Sequence, residues 1–289
     1  MAGKTLELVR ISANSHPAPG IRQTPTLAKY IDTTSCIGCK ACEVACQEWN
    51  DLPPEISVQF GSYQTLPQLT PNFWNLIRFR ELDRDGALSW LMRKDQCMHC
   101  GDPGCLKACP APGAIVQYAN GIVDFQQEHC IGCGYCISGC PFDIPQLSKK
   151  TKKVYKCTLC VDRVSVGLEP ACIKACPTSC LQFGTKDAML EEAGRRVEQL
   201  KSQGFAHAAV YDPPGVGGTA VVTVLAHGDQ PELYGLPKNP VIPLAVRLWK
   251  GPLKWLGNLA MVGGVLAAAA HYLRFGAKVV PGDGPQGGE

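Results

Sequence analysis

The placement of cysteine restricts the fold of this chain more than any other feature. Seventeen cysteines lie among its 289 residues, all between Cys36 and Cys180, and sixteen of them form four runs. In chain order the runs are Cys36, Cys39, Cys42 and Cys46; Cys97, Cys100, Cys105 and Cys109; Cys130, Cys133, Cys136 and Cys140; and Cys157, Cys160, Cys172 and Cys176. Proline follows the last cysteine of every run except the first. The chain therefore has to fold around whatever these thiols bind.

The spacing within the runs indicates iron–sulfur clusters. The third run has the bacterial ferredoxin spacing, and the other three are length variants of it. In that pattern the three closely spaced cysteines bind three iron corners of a [4Fe–4S] cubane, and the fourth cysteine is carried away to a second cluster. Sixteen cysteines in four such runs predict four [4Fe–4S] clusters.

The runs have to exchange their fourth cysteines in pairs. Cys109 and Cys130 are separated by only 20 residues, which favours pairing of the second run with the third and leaves the first run for the fourth. Pairing of the first run with the second and the third with the fourth stays open, although 50 residues separate Cys46 from Cys97. Between the second and third runs, an alternating stretch centred on Asn120-Gly121 predicts a β-hairpin.

Zinc and disulfides are the other interpretations of many cysteines. Zinc sites favour two well-separated pairs of ligands, and disulfides would not explain the repeated spacing. Cys180 follows the fourth run without a partner run, and we interpret it as a small buried side chain. His99 lies between two cysteines whose set is already complete, so we expect it to be a neighbour of a cluster and not a ligand.

The remaining sequence divides into segments of different character. Residues 1–25 predict a polar arm, and residues 181–245 a cysteine-free packing segment with a helix from Lys186 to Gly204 and strands near 208–211 and 220–225. Apolar content of 45% is enough for a core, while a net charge of +3 with dispersed basic residues does not suggest a nucleic-acid partner. Basic residues near the runs, expected to tune the clusters, are Lys40, Lys107, Lys174, Lys149, Lys150, Lys152 and Lys153.

A C-terminal segment, residues 246–276, predicts a transmembrane anchor followed by a short tail at 277–289. Between Lys254 and Arg274 lie 19 residues without a formal charge. As a helix they would be about 28 Å long at ~1.5 Å per residue, close to the ~30 Å of a bilayer core. A buried core helix is the alternative, and His271 is either a haem ligand or a polar contact for a neighbouring helix.

Orientation and export are weakly encoded. Three basic residues precede the span and two follow it, a count that slightly favours a cytoplasmic N-terminal domain. The first 25 residues contain neither an apolar signal region nor a twin-arginine pair, so we expect no export signal on the chain itself.

Beyond the cysteines, long stretches resemble the iron–sulfur (β) subunit of membrane-bound respiratory formate dehydrogenase. The resemblance rests on CIGCKACEVACQEWND, RKDQCMHCGDPGCLKACPAPGAIVQYANGIVDF, CIGCGYCISGCPFDIP, VYKCTLCVDRVSVGLEPACIKACPT and GVGGTAVVTVL, and it extends from about Asp32 to the C-terminal span. It implies an α+β fold in which residues 26–180 form two interleaved ferredoxin-like modules, with flanking segments and one C-terminal transmembrane helix.

The resemblance also implies which cysteines share a cluster. The four expected ligand groups, named set 1 to set 4, are Cys36, Cys39, Cys42 and Cys176; Cys46, Cys157, Cys160 and Cys172; Cys97, Cys100, Cys105 and Cys140; and Cys109, Cys130, Cys133 and Cys136. Related subunits of nitrate reductase replace one ligand and carry a three-iron cluster. No such replacement occurs here, so four cubanes are expected.

The function implied is electron transfer without a catalytic site on this chain. Electrons from formate would pass from a catalytic subunit with a molybdenum or tungsten pterin to a cytochrome b membrane subunit and the quinone pool. The resemblance implies a bacterial inner-membrane protein whose globular part is periplasmic and is exported with the catalytic subunit. Alternatives are a subunit of another molybdopterin oxidoreductase or of a hydrogenase, a soluble polyferredoxin and a zinc-binding protein.

Overall fold

The computed structural model describes residues 8–10, 25–58, 60–84 and 87–276. Contacts divide the chain into a unit that ends at Val246 and a second unit that begins at Arg247. The predicted arm at 1–25 is described only at residues 8–10 and 25, and the predicted tail at 277–289 lies outside the described residues.

The described elements are strands and α-helices of very different lengths. The strands are β1 (Leu8–Arg10), β2 (Leu27–Asp32), β3 (Leu76–Arg84), β4 (Ala87–Asp95), β5 (Ile115–Tyr118), β6 (Val123–Phe125), β7 (Gln146–Leu147), β8 (Val154–Tyr155), β9 (Leu181–Thr185), β10 (Ala209–Tyr211) and β11 (Val221–Leu225). The α-helices are α1 (Ala41–Trp49), α2 (Gly104–Ala108), α3 (Tyr135–Ser138), α4 (Val161–Ser165), α5 (Ala171–Lys174), α6 (Lys186–Ser202), α7 (Leu244–Lys250) and α8 (Pro252–Phe275).

The central layer is a four-stranded sheet in the order β10-β11-β2-β9, in which β11 runs parallel to β2 and the other pairs are antiparallel. Helix α6 begins after Thr185, whose hydroxyl accepts a hydrogen bond from the Ala188 N–H and caps the helix. Its apolar stripe, which includes Ala193 and Leu200, packs against this sheet. Burial of a side chain such as Leu200 contributes about 1.5–3 kcal/mol. The predicted helix and both predicted strands are therefore confirmed.

Strand β2 contributes side chains to both faces of this sheet. Its side chains alternate, so Ala28 and Tyr30 face α6 while Lys29 and Ile31 face the opposite side. Ile31 belongs to an apolar cluster that contains cysteines of all the runs except the third. One face of the sheet thus packs against the cysteine-bearing loops. Lys29 points towards these loops because side chains alternate between the two faces along a strand.

Two hairpins lie around the second run. The hairpin predicted around Asn120-Gly121 is formed by β5 and β6, and Gly121 adopts a φ of +90° that suits glycine. The longer hairpin of β3 and β4 was not predicted from the sequence, and it delivers the chain directly into the second run. Strand β1 extends the β5–β6 hairpin into a three-stranded sheet.

Short helices bring the runs together in the nested order. Helix α1 of the first run packs against α5 of the fourth, and α2 of the second run packs against α3 of the third. The structure therefore groups the outer runs with each other and the inner runs with each other.

The second unit is dominated by α8. Its side chains are exposed along the whole helix, and the helical stretch Leu244–Phe275 contains an 18-residue window with a mean hydropathy of 1.4, none of which is buried. An exposed apolar helix of this length is what a membrane span requires.

Candidate functional site: four sets of cysteine sulfurs

The backbone between the first two cysteines has the same conformation in all four runs. The residue immediately before the second cysteine has a positive φ in every run: Gly38 (+65°), His99 (+46°), Gly132 (+70°) and Leu159 (+56°). This conformation directs the intervening N–H towards the first sulfur, as in the hydrogen bonds of 3.4 Å from His99 to Cys97 Sγ and from Leu159 to Cys157 Sγ. Glycine predicts the conformation in two runs, whereas the histidine and leucine give no such signal.

Set 1 surrounds a cavity. All four of its cysteines line this cavity, together with Lys94 and Cys180. Burial raises the pKa of Cys42 to about 12, whereas the side chain of Cys180 lowers the pKa of Cys36 to about 6 by hydrogen bonding. The cysteines that the resemblance groups in set 1 are therefore brought together.

Sets 2, 3 and 4 are also brought together, as the interactions of one buried member in each set show. Burial, with the other three thiolates of set 2, raises the pKa of Cys46 to about 12. Burial and the rest of set 3 raise the pKa of Cys105 well above its ordinary value. Burial and the rest of set 4 raise the pKa of Cys136 to about 12. Because ligand thiols have to lose their protons, loading these buried groups is expected to release protons.

The sets follow one another in the order 1, 2, 3, 4. In addition to burial, the Cys172 thiolate of set 2 raises the pKa of Cys42 in set 1. In the same way, burial and the Cys157 thiolate of set 2 raise the pKa of Cys97 in set 3. Sets 3 and 4 meet at α2, which carries a member of set 3 within it and a member of set 4 at its C-terminal end. These interactions join each set to the next one in the series.

Both ends of the series reach the surface. Every cysteine lies in the described part of the chain, and only Cys39 of set 1 and Cys133 of set 4 are exposed. Ile37 and Ile131, each two positions before one of these cysteines, are 61% and 66% exposed. Sets 2 and 3 have no exposed cysteine.

Three buried lysines lie among the sets. The exposures of Lys29, Lys94 and Lys156 are 0%, 4% and 3%, and none of them forms an ion pair with a described carboxylate. Lys29 Nζ donates to Cys172 Sγ over 3.3 Å and to Gln96 Oε1 over 3.0 Å, and Lys94 Nζ donates to the same Gln96 oxygen over 2.6 Å. Buried ammonium groups need negative partners, and here the thiolates supply them, joined at Lys156 by the carboxylate of Asp124.

The pKa values of these lysines agree with that placement. Burial would lower the pKa of Lys29, but the set 2 thiolates raise it above its ordinary range. Burial likewise opposes the charged form of Lys156, and the thiolate of Cys97 is the largest of the interactions that raise its pKa. Both groups therefore remain charged at neutral pH.

Sequence reasoning missed these lysines and named others. Lys107 pairs with Asp102 over 2.6 Å, and Lys40 lies over the Phe79 ring at 5.8 Å. Lys174, Lys149, Lys150 and Lys152 are exposed, and Lys153 is partly buried. Lys153 donates to the Cys130 carbonyl oxygen over 2.5 Å. The period of β2 could have identified Lys29, whereas Lys94 gives no comparable signal.

His99 and Cys180 occupy defined positions beside the sets. His99 Nδ1 accepts a hydrogen bond of 3.1 Å from the Val123 N–H, and burial lowers the pKa of the ring well below its ordinary value. Cys180 is buried, as expected, but its Sγ lies 3.5 Å from Cys176 Sγ. Set 1 therefore has a fifth sulfur nearby that the spacing did not reveal.

The residues fit iron–sulfur clusters better than single metal ions. A tetrahedral zinc ion requires sulfurs about 2.3 Å from one point. Among the described residues, no three or more His, Cys, Asp or Glu side chains are arranged to hold one ion. A cubane binds each sulfur at a separate iron, and the cavity within set 1, the N–H donors to sulfur and the buried ammonium groups suit such a charged group.

Comparison with known families agrees with this chemistry. Two family models, both described as a 4Fe-4S dicluster domain, match residues 35–114 and 88–186. A third, described as formate dehydrogenase N, transmembrane, matches residues 242–285.

Similar proteins cover almost the whole chain. The formate dehydrogenase iron-sulfur subunit of Haemophilus influenzae is 56% identical over 281 residues, which are 96% of this chain and 90% of that protein. The chain belongs to the iron–sulfur subunits of formate dehydrogenase. The nitrate-inducible formate dehydrogenase iron-sulfur subunit of Escherichia coli K12 is 55% identical over 96% of this chain and 95% of its own length, and the formate dehydrogenase-O iron-sulfur subunit is 54% identical over 96% and 93%.

Membership of this formate dehydrogenase family confirms several predictions. The chain is an electron-transfer subunit that binds [4Fe–4S] clusters in two ferredoxin-type domains, within an α+β fold. Its C-terminal helix anchors it in a membrane. The resemblance to formate dehydrogenase stated from the sequence is correct.

Proposed function

We propose that this chain relays electrons from formate, oxidised on a molybdopterin-containing catalytic subunit, through four [4Fe–4S] clusters to a cytochrome b subunit and the quinone pool. The observation that carries the proposal is the serial order of the four sets, which begins and ends at an exposed cysteine. A relay between two partners needs protected internal sites and one accessible site at each end, and the exposure of Cys39 and Cys133 matches that need.

The proposal assigns each set to one cluster. Set 1 supplies Cys36, Cys39, Cys42 and Cys176; set 2 supplies Cys46, Cys157, Cys160 and Cys172; set 3 supplies Cys97, Cys100, Cys105 and Cys140; and set 4 supplies Cys109, Cys130, Cys133 and Cys136. The assignment is supported by the electrostatic interactions within each set and by the cavity of set 1. It corresponds to about sixteen iron atoms per chain.

The residues of the chain determine how such a relay behaves. Each bound cluster supplies a centre that accepts and releases one electron. Backbone N–H groups hold the sulfurs in place, buried lysines offset negative charge, and sets 2 and 3 have no exposed cysteine.

The division of the chain follows from this role. We assign residues 26–180 to the two interleaved modules, 181–245 to a packing segment, 246–276 to the anchor with its flanks, and 1–25 and 277–289 to an arm and a tail. The sheet contributions of β10 and β11 and the cover by α6 support the packing role of the third segment.

We place the globular part on the periplasmic side of the bacterial inner membrane, exported with the catalytic subunit. The family resemblance supports this side, and the opposing charge count differs by a single basic residue. Protease added to spheroplasts should digest the globular part, whereas the same protease added to inverted vesicles should leave it intact. The reverse result would place it in the cytoplasm.

The relay is tested at its two ends in the assembled, detergent-purified complex. Ile37→Asp and Ile131→Asp each place a charge beside one exposed end without removing a ligand. One variant should prevent formate from reducing the clusters of this chain. The other should still allow that reduction but slow reoxidation by quinone at least ~10-fold, because a buried unpaired charge weakens docking by several kcal/mol.

Ile56→Asp provides the matched control, since Ile56 is 99% exposed and lies outside both loops. This variant should show normal reduction and reoxidation. The relay proposal fails if both end variants block the same step or if both behave like the control.

A further inference from the structure

The buried lysines are distributed unevenly among the four sets. Lys29 donates to Cys172 Sγ of set 2 over 3.3 Å, and Lys156 Nζ donates to the Cys157 carbonyl oxygen of the same set over 2.9 Å. Lys94 lines the set 1 cavity and is joined to Lys29 through the shared Gln96 oxygen. Set 2 therefore contacts Lys29 and Lys156, and the charge of Lys94, which is one hydrogen-bonded side chain away, also acts on Cys46 and Cys172.

The neighbouring sets have fewer such groups. Lys94 lines the cavity of set 1. The Nζ of Lys156 also interacts with the side chain of Cys97 in set 3. In set 4, the largest effects on the pKa of the buried Cys136 come from burial and from the other three thiolates of the set. Lys153, which is partly exposed, donates to the backbone carbonyl of Cys130 in this set.

Positive charge in a buried site favours the reduced state of a nearby cluster. Reduction adds one negative charge, and an ammonium group stabilises that charge more strongly in a low-dielectric interior than at the surface. Burial of a cluster without cations acts in the opposite direction, since it disfavours the more negative state. All three buried lysines act on set 2, whereas Lys94 alone of them lines the set 1 cavity and Lys156 acts on Cys97 of set 3.

We infer that Lys29, Lys94 and Lys156 give the cluster held by set 2 the highest reduction potential of the four. This inference rests on the proposed ligand sets. An electron delivered to either end would then settle at an internal, water-excluded position of the series. The three lysines act through the cluster and are therefore positioning residues.

A redox titration followed by low-temperature paramagnetic resonance tests the inference in the intact, detergent-purified protein. A Cys→Ser substitution in each set, such as Cys46→Ser in set 2, identifies the signal that belongs to it. As the potential is lowered, the set 2 signal should appear first. Lys29→Met and Lys156→Met should each decrease the reduced-to-oxidised ratio of this cluster on the order of tenfold at a fixed potential, which is about 59 mV for one electron.

Each variant should also shift the midpoint potentials only of the clusters near the substituted lysine. Lys156→Met should lower the midpoint of set 3 as well, and Lys94→Met that of set 1, while none of these variants should shift set 4. Lys29→Arg should restore the wild-type midpoint because it restores the charge. If a methionine variant does not assemble, Gln96→Glu keeps the side-chain size and places a negative charge between Lys29 and Lys94, and it should lower the set 2 midpoint too.

Lys153→Met is the matched control, since Lys153 is partly exposed. This variant should leave the midpoint potential of the set 2 cluster unchanged. The inference is overturned if the set 2 signal is not the first to appear, or if its midpoint is unchanged in the Lys29 and Lys156 variants. Iron analysis separates this failure from failure of the relay. About sixteen irons with unshifted midpoints contradicts only the role of the lysines, whereas about eight contradicts the proposed clusters themselves.

Discussion

The loops Cys36–Cys39 and Cys130–Cys133 have the same sequence, Cys-Ile-Gly-Cys, and lie at opposite ends of the sulfur series. We name them the run-one loop and the run-three loop. In both, the glycine has a positive φ and the isoleucine and second cysteine are exposed. The two loops therefore have the same local conformation and similar exposure.

Their surroundings differ. Behind the run-one loop lie Lys94 and Cys180, and the loop is held by Asp32, which accepts hydrogen bonds from Ser35 Oγ at 2.6 Å and Arg196 Nε at 2.8 Å. The run-three loop rests on the exposed turn before β8, where Lys153 donates to the Cys130 carbonyl oxygen. A short motif therefore determines how the sulfurs are presented, whereas distant parts of the chain determine their electrostatic environment.

Removing one ligand at either end is expected to have the largest effect. Cys39→Ala and Cys133→Ala should each reduce the iron content from about sixteen to about twelve per chain, because each removes a corner ligand of one cubane. Cys180→Ala is the control and should retain the full iron content. Iron analysis of the purified protein checks all three, and loss of iron from the Cys180 variant would mean that set 1 is assigned wrongly.

The glycines of the two loops provide the next comparison. A Cβ at Gly132 would overlap the Lys152 carbonyl oxygen, which is backbone, whereas a Cβ at Gly38 would lie 2.7 Å from Phe79 ring carbons and 2.9 Å from Met92 Sδ, which are side-chain atoms. Gly132→Ala should therefore destabilise the protein more than Gly38→Ala, by about 1–3 kcal/mol.

The measurement is the midpoint temperature at which the visible absorption of the clusters is lost. A difference of about 2–4 °C is expected for each kcal/mol. Equal midpoints for the two alanine variants would show that the backbone contact at Gly132 is not the more restrictive one.

Asp32 gives the run-one loop a pH dependence of its own. Burial opposes its ionisation, but hydrogen bonds from Ser35 and Thr34 and the charge of Arg196 lower the pKa of this carboxyl group below its ordinary value. A depressed pKa stabilises the fold above the unfolded-state pKa of about 3.9, and this stabilisation is lost as the pH falls through the folded-state pKa. Asp32→Asn should cost about 1–3 kcal/mol at neutral pH.

The difference in thermal midpoint between wild type and Asp32→Asn should be the same at pH 7 and pH 5 and should shrink only below about pH 4. Glu191→Gln, at an exposed position on the same helix as Arg196, is the control and should leave the midpoint unchanged. A difference that already disappears between pH 7 and pH 5 would contradict the depressed pKa.

The exposed isoleucines should have the smallest effect on stability. Ile37→Ser and Ile131→Ser should change the free energy of unfolding by no more than about 0.5 kcal/mol, because both side chains are already largely in solvent. The same thermal midpoint detects a larger change. A strong destabilisation in either variant would show that the isoleucine stabilises its own loop and is not simply an exposed side chain that contacts a partner subunit.

Much of this site could be predicted from the sequence, since cysteine spacing and the membrane span are local patterns. The hairpin around Asn120-Gly121 and helix α6 are local as well, and the structure confirms both. The parallel pairing of β11 with β2 was not predicted, because residues 191 positions apart meet only in the folded chain, as the bond from Thr33 Oγ1 to the Val224 carbonyl shows. The convergence of Lys29 and Lys94 on Gln96 depends on the same long-range contacts.

The number of clusters decides whether the series is continuous, and elemental analysis of the intact chain measures that number. Anaerobically purified protein should contain about sixteen iron atoms and about sixteen acid-labile sulfides per chain, four of each for every cubane. About eight of each would mean that only two of the four sulfur sets hold a cluster, and the continuous series from Cys39 to Cys133 would not exist.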